Sequence, residues 1–206
     1  ATNMVDLLQQ YAGVDIRQRG IDGMQADLYI RGGSFDQTLV LIDGIKTENP
    51  QTGHHTLNMM IPIENIERIE IIKGPAARVF GQNAFTGAIN IITKKSVNTQ
   101  LTGELGYGSY RTDKFALTGS VNLKESSHQV HISRNTSDGY RYNTDFKNQN
   151  YFIKSKFNTK NNSIDIIGTF MERKFGANGF YASPEAKDQY EETQSSLIGV
   201  STGFEK

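Results

Sequence analysis

The stretch that decides the fold is residues 66–94, which read IERIEIIKGPAARVFGQNAFTGAINIITK. Two of its segments, Arg68–Lys73 and Ala88–Thr93, have strand length and are rich in isoleucine, which favours extended backbone. Between them, Pro75–Phe80 has room for one short helix before Gly81. The stretch therefore predicts two strands of a sheet that are connected through a short helix.

The residues before this stretch also mix helix and strand patterns. Apolar residues recur at the helical spacing i, i+3, i+4 and i+7 near the start: Met4, Leu7, Leu8 and Tyr11. Gly13 ends this predicted helix. Three further segments read as strands: Val14–Arg17, Leu28–Arg31 and Leu39–Ile42. Asp43-Gly44 then predicts a tight turn into Ile45-Lys46. The first half is thus predicted to be a small mixed α/β domain with four or five short strands.

The pattern changes near Lys94-Lys95, after which alternating strands dominate. Six strands are predicted in series, as an antiparallel meander: Gln100–Gly108, Lys114–Lys124, residues 129–133, Tyr151–Asn158, Ile164–Phe170 and Ile198–Phe204. Short turns at Glu125–Ser127 and Lys160–Ser163 contrast with long segments at Asp138–Asn148 and Gly176–Glu192. This asymmetry is typical of an outer-membrane barrel. Soluble up-and-down barrels also alternate, and either face could lie inside, so both alternatives stay open.

Composition excludes several classes of function. The chain has 206 residues, with 22 basic and 22 acidic side chains and no cysteine. The charge balance argues against a general nucleic-acid binder. Without cysteine, neither a disulfide framework nor a thiolate metal site can form. No apolar run approaches the roughly 18–20 residues of a membrane-spanning helix, a test that barrel strands of about 9–11 residues would escape.

Four segments, taken in order, resemble the plug domain of TonB-dependent outer-membrane receptors. They are Met4–Ile16, Leu28–Gly33 (LYIRGG), Val40–Gly44 (VLIDG) and Ile66–Lys94. The resemblance implies a plug domain over residues 1–95 and the first strands of a transmembrane barrel over residues 96–206. The expected fold class is an α+β plug, with a small mixed sheet and short helices, followed by an antiparallel β-meander that is a fragment of a large transmembrane β-barrel. A signal peptide and a TonB-contacting segment are expected outside this fragment.

The same resemblance implies active import and no enzymatic activity. A scarce ligand such as cobalamin or a ferric siderophore would bind from outside, while the plug closes the barrel lumen. The implied partners are the TonB–ExbB–ExbD complex, the small-molecule ligand and the lipid of the outer membrane, with no nucleic acid. No cofactor and no metal are expected. Two rival hypotheses are a signalling receptor or adhesin on the same scaffold and a soluble α/β binding module.

Five charged residues of the first half form a candidate group: Arg31, Glu67, Arg68, Glu70 and Lys73. Strand alternation places Arg68 and Glu70 on one face and Glu67 on the other. One hypothesis is that these charges hold the plug in the barrel through ion pairs that water can replace. The alternative is that they form salt bridges within the plug.

The polar segment 48–58 is the candidate ligand-contacting loop. By resemblance it is a plug apex that faces the substrate, and its hydrogen-bonding residues are candidates for ligand contact: Gln51, Thr52, His54, His55 and Asn58. Adjacent histidines rarely chelate one metal, so a metal site is not expected. The alternative is an ordinary solvated loop.

Tyrosines and phenylalanines recur in the two long segments of the second half. They are Tyr140, Tyr142, Phe175, Phe180, Tyr181 and Tyr190. They could contact the substrate or cover the barrel mouth, or they could form an aromatic girdle at the membrane interface.

Overall fold

The computed structural model describes residues 4–11, 13–20, 24–47, 57, 61–75, 77–95, 98–181 and 183–204. Contacts divide the chain into two compact units, Ala1–Met59 with Ile63–Lys94, and Met60–Pro62 with Lys95–Lys206. No helix in the described ranges combines the length and the hydropathy needed to cross a membrane.

The first unit is a small α+β fold with two sheets. Its elements are α1 (Met4–Leu8), β1 (Val14–Arg19), β2 (Gln25–Ile30), β3 (Thr38–Ile42), β4 (Ile45–Lys46), β5 (Ile66–Lys73), α2 (Ala77–Phe80) and β6 (Gly87–Thr93). Strands β1 and β2 form an antiparallel pair, and the other four form a sheet in the order β4-β3-β6-β5. Only the β3–β6 pair is parallel among these described strands, so the predicted mixed sheet is confirmed. The count of six strands exceeds the prediction by the two-residue β4.

One hydrophobic core joins α1 and β1–β2 to the larger sheet. Leu8, Leu28, Ile30, Ile89 and Ile91 have no exposed surface, and they belong to one packed cluster. The isoleucines at alternate positions of β6 therefore serve one face of the sheet. Burial of such side chains contributes about 1.5–3 kcal/mol each, which makes this cluster the main stabilising element of the unit.

The turn between β3 and β4 is fixed to β6 by its own side chain. Asp43 and Gly44 have φ angles of 49° and 81°, as a two-residue hairpin turn requires, so the predicted turn is confirmed. The Asp43 carboxylate accepts hydrogen bonds from Thr93 N at 2.8 Å and from Thr93 Oγ1 at 2.5 Å. Because hydrogen bonds to a charged acceptor are the stronger kind, this contact ties the end of β6 to the turn.

Gly87, in the GAINIITK segment, is required by close packing. A Cβ at this position would lie 2.5 Å from the carbonyl oxygen of Ile72 and 3.1 Å from Cδ1 of Ile30. The neighbouring residue Thr86 makes two hydrogen bonds to other segments. Its hydroxyl donates to Gln37 O at 3.1 Å, and its carbonyl accepts from Gly74 N at 2.9 Å. The segment therefore fastens β5 and the start of β3 to β6.

The second unit is an open antiparallel sheet of six long strands. They are β7 (Gln100–Gly108), β8 (Thr112–Asn122), β9 (Ser126–Ser137), β10 (Phe146–Asn158), β11 (Asn162–Gly176) and β12 (Tyr190–Phe204). Each strand pairs with its neighbours in sequence, in the order β12-β11-β10-β9-β8-β7. The predicted meander is confirmed, and the strands extend further into the predicted loops than alternation alone indicated.

The connections differ between the two ends of this sheet. At one end the turns are short, over residues 123–125 and 159–161. At the other end the connections are residues 109–111, 138–145 and 177–189. The predicted asymmetry of short turns and long loops is therefore present for the last two loops, while the β7–β8 connection is short although it lies at the long-loop end.

The two faces of the sheet have the opposite polarity to a soluble core. Apolar side chains are exposed, with Val130 and Ile153 at 50% and Ile198 at 82%. The other face is mixed and covered: His131 is 0%, Lys154 6% and Phe152 2% exposed there. The sequence left the orientation of the faces open; in the structure the more apolar face is the exposed one.

We expect Asp43→Ala to loosen the end of β6. The substitution removes two hydrogen bonds to a carboxylate, and each contributes about 1.5–3 kcal/mol. In the full-length protein, hydrogen exchange at the Thr93 amide should accelerate at least about tenfold. The exposed Asp36 provides the control, and equal exchange rates in Asp36→Ala and Asp43→Ala would show that the turn is not held by its carboxylate.

We expect Gly87→Ala to destabilise the first unit by about 1–3 kcal/mol, because the new methyl group must displace backbone. Calorimetric unfolding of the full-length protein measures this change. Gly103→Ala is the control, since its Cβ would meet nothing closer than 3.9 Å. If the two variants unfold alike, close packing at Gly87 is not the reason for glycine.

Candidate functional site

Arg68 is the centre of an ion-pair group on β5. Its Nη1 donates to Glu67 Oε1 at 2.9 Å and its Nη2 to Glu70 Oε1 at 2.8 Å. The three side chains are 42–48% exposed, so each pair contributes at most about 1 kcal/mol to stability. The hydrogen bond to Glu70, together with the charges of Glu70 and Glu67, raises the pKa of Arg68. The guanidinium is thus a permanent cation.

An irregularity in β5 explains how Arg68 reaches both carboxylates. The register against β6 shifts between Ile66 and Arg68, which leaves Glu67 as an extra residue. Strict alternation placed Glu67 on the opposite face, and for this contact it was wrong. A bulge of this kind bends the strand and redirects a side chain.

Asn90 extends the group across the sheet to the β3–β4 turn. Its Nδ2 donates to Glu70 Oε2 at 3.2 Å, and its Oδ1 accepts from Gly44 N at 3.0 Å. Asn90 is not among the residues predicted from the sequence. The signal was a single polar residue within the apolar run Ala88–Ile92, where an amide needs partners.

Arg31 and Lys73 lie at the other end of β5. A Cβ on Gly74 would lie 3.4 Å from Nη1 of Arg31, and a Cβ on Gly13 would lie 3.3 Å from Nζ of Lys73. The ion pairs of β5 therefore join three of the five predicted charges, those of Glu67, Arg68 and Glu70, while Arg31 and Lys73 lie near the far end of the strand. Whether they hold the plug within a barrel stays a prediction.

The predicted ligand-contacting residues lie outside the described part of the chain. This applies to all five of them: Gln51, Thr52, His54, His55 and Asn58. Leu57 is described and is 4% exposed within the core of the first unit. Among the described residues, no group of three or more acidic, histidine or cysteine side chains could hold a metal ion.

The two long loops of the second unit are bonded into one structure, which we call the loop junction (residues 138–145 and 177–189). Asn143 lies at its centre: its Nδ2 donates to the carbonyl oxygen of Lys187 at 2.8 Å and to that of Gln189 at 2.6 Å. In return, Asn178 Nδ2 donates to Tyr142 O at 2.6 Å. These contacts fix the path of both loops, because an amide that bridges backbone carbonyls sets their separation.

Aromatic residues in and next to the loop junction divide into buried and exposed sets. Phe175 and Phe180 are buried and lie 5.9 Å apart between ring centroids. Tyr140 and Tyr142 are exposed. Tyr142 donates to Asp188 Oδ1 at 2.6 Å, and this hydrogen bond to a carboxylate raises the pKa of Tyr142. The buried rings support the loops, while the exposed rings present a surface that a solute could contact.

We expect Asn143→Gly to separate the two loops. Glycine accepts the φ of 51° at this position, so the substitution removes only the amide and its hydrogen bonds, which contribute about 1–3 kcal/mol together. In the full-length protein, tryptic cleavage after Lys187 should become several times faster. The control is Asn161→Gly, next to Lys160 in a short turn outside the loop junction. An unchanged cleavage rate after Lys187 would show that the Asn143 amide does not hold the two loops together.

Sequence comparisons connect these features to known proteins. Residues 1–88 match the family model of the TonB-dependent receptor plug domain. The chain is 35% identical over 144 residues to the vitamin B12 transporter BtuB of Vibrio vulnificus, and the same holds for that of Vibrio cholerae. Each match covers 69% of this chain and 23% of the relative, so the chain spans about a quarter of the length of these relatives.

Solved structures share the fold at lower sequence identity. The ferripyoverdine receptor of the outer membrane of Pseudomonas aeruginosa has a TM-score of 0.77 and 17% identity, over 97% of this chain and 29% of that one. The siderophore receptor PirA of Acinetobacter baumannii has a TM-score of 0.70 and 18% identity, over 98% and 35%. These relatives are transporters and receptors, not enzymes. With a plug-domain match over residues 1–88, a small mixed sheet and a long-stranded meander, the chain has the sequence and fold features of a fragment of a TonB-dependent receptor.

Proposed function

We propose that this chain is part of an active transporter in the outer membrane, and that it contains the plug and some of the barrel strands. Residues 1–95 are assigned as the plug and residues 96–206 as the first strands of the barrel that encloses it. A scarce ligand binds from outside, and the plug closes the lumen until it is pulled. The TonB–ExbB–ExbD complex is the proposed source of that force, since the outer membrane has no nucleotide supply.

One observation carries the membrane assignment: the long-stranded sheet exposes an apolar face, whereas its covered face includes polar side chains such as His131 and Lys154. A soluble β-barrel needs the reverse, because exposed apolar surface in water costs about 25 cal/mol per Å². In lipid, this polarity is favourable, since acyl chains meet the apolar side chains and the lumen holds the polar ones. The proposed partner of this face is the lipid of the outer membrane, and the rival soluble module is disfavoured.

We propose cobalamin as the ligand and a ferric siderophore as the second candidate. The relatives with 35% identity are named vitamin B12 transporters, whereas the ferripyoverdine and other siderophore receptors share the fold at 15–20% identity. Sequence identity at the higher level supports cobalamin. Contact with the ligand is assigned to the apex segment through Gln51, Thr52, His54, His55 and Asn58, with the exposed tyrosines of the loop junction as a second contact.

A charge on the exposed face tests the membrane assignment. We expect Ile153→Lys to reduce assembly of the complete receptor into the outer membrane, because a lysine near the bilayer midplane costs about 2–4 kcal/mol. Heat-modifiable mobility of the membrane fraction measures assembly. Gln149→Lys is a matched control on the same strand and face, four residues nearer the loops. Equal assembly of both variants would remove the basis for the membrane assignment.

Uptake of labelled ligand tests the transport proposal. Cells that express the complete receptor should accumulate cobalamin, and uptake should cease when TonB is absent. We expect the double substitution of His54 and His55 by alanine to weaken cobalamin binding about tenfold, since each lost hydrogen bond costs about 0.5–1.5 kcal/mol. Surface abundance is measured in parallel. Accumulation of a ferric siderophore but not of cobalamin would identify the siderophore as the ligand. If the cells take up neither compound, the proposed transport of these two ligands is refuted.

A further inference from the structure

The second long loop contains a residue pair that is chemically reactive. Asn178 is the only asparagine of the chain that is followed by glycine. The backbone nitrogen after an asparagine can attack the amide carbon of the asparagine side chain, and a side chain on the following residue hinders that attack. Because glycine has no Cβ, the nitrogen of Gly179 is the least hindered nucleophile of this kind in the chain. The pair Asn178–Gly179 is therefore the candidate site for loss of ammonia from a side-chain amide.

Both reacting groups of this pair are held by hydrogen bonds in the loop junction. The nucleophile, Gly179 N, donates to the carbonyl oxygen of Ala186 at 2.9 Å. The leaving group, Asn178 Nδ2, donates to the carbonyl oxygen of Tyr142 at 2.6 Å. The first bond lies within residues 177–189, and the second connects them to residues 138–145. Attack requires both bonds to break, because the amide proton of Gly179 must leave and the side chain of Asn178 must turn towards the nitrogen.

Burial does not protect the pair from water. Asn178 and Gly179 are each half-buried, and they occupy the centre of a turn that is closed by a hydrogen bond from Phe180 N to Ala177 O at 3.1 Å. Water therefore reaches the site and can complete the reaction. The φ of Gly179 is 72°, which favours glycine, so the residue that makes the pair reactive is also the residue that the turn requires. Protection of Asn178 thus depends on the two hydrogen bonds.

We propose that Asn178 is a deamidation site, that the closed loop junction suppresses the reaction, and that the product prevents the junction from closing again. When the junction opens, Gly179 N gives its proton to water and bonds to Cγ of Asn178. The bond between Cγ and Nδ2 breaks, and Nδ2 takes a proton from water and leaves as ammonia. The resulting cyclic succinimide adds a water molecule at either carbonyl carbon, and the ring opens to aspartate or isoaspartate. No group is oxidised or reduced.

The product cannot make the contacts that the amide made. An ionised carboxylate has no hydrogen to donate, so aspartate at position 178 places a negative oxygen against the carbonyl oxygen of Tyr142. Isoaspartate also adds a methylene group to the main chain, which moves Gly179 N away from Ala186 O. Either product removes a hydrogen bond that connects the two loops. A transient opening of the loop junction therefore leaves a permanent change in the protein.

Ageing of the full-length protein tests the site. The protein is kept in detergent micelles at neutral pH, then unfolded and digested with trypsin. Mass spectrometry of the peptide 175–187, in which Asn178 is the only asparagine, measures the fraction of aspartate and isoaspartate. The folded wild type should react at least about fivefold more slowly than the same protein aged in denaturant, because two hydrogen bonds must break first. Asn143→Gly, which separates the two loops, should react at least about fivefold faster than the folded wild type.

Two matched variants serve as controls. Asn178→Gln keeps a side-chain amide but would have to form a larger ring, so its peptide should stay unmodified. Asn161→Gly, in a short turn outside the loop junction, should leave the rate at Asn178 unchanged. Equal rates in the folded and the unfolded wild type, or in Asn143→Gly and the folded wild type, would overturn the suppression by the loop junction. A lack of product in the unfolded protein would overturn the site itself. The comparison of folded with unfolded wild type requires no variant to fold, and none of these outcomes depends on the proposed transport.

Discussion

Backbone pairing along the six-stranded ladder is the interaction on which the second unit depends. Residue-by-residue antiparallel register from β7 to β12 satisfies the main-chain groups between strands. Side chains are then free to meet two unlike environments. Because neighbouring strands satisfy each other's main-chain groups, one face can remain apolar and exposed without leaving amides unpaired. The polarity of the faces and the bonded loops both follow the same register.

The first unit is organised differently: both faces of its four-stranded sheet bury apolar side chains, and one of them also carries a polar network. Ile89 and Ile91 pack inward, while Asn90 between them connects Glu70 to the β3–β4 turn. The core supplies stability, and the exposed ion pairs add little. Because packing stabilises the domain and its surface ion pairs are weak, those ion pairs can be broken without unfolding the domain.

Alternation and isoleucine-rich runs were sufficient to predict the strands of both units, because side-chain period reports which backbone is extended. The bulge at Glu67 could not be predicted, since an extra residue in one strand is defined only against its partner. The contacts of Asn143 join residues about 45 positions apart in sequence, and no local pattern records them. The orientation of the faces was equally undetermined, because alternation identifies two faces without saying which one meets the surroundings.

Asn143 recognises its partner loop through main-chain carbonyl oxygens. Every amino acid supplies the same oxygen, so the path of residues 177–189 is specified independently of the side chain at Lys187. The surface of that loop can thus change its chemistry while its course is kept. Changes in loop length are constrained instead, because an insertion between the two anchored carbonyls would displace one of them. Receptors of this kind can diversify their outer surface by substitution while the framework beneath it stays the same.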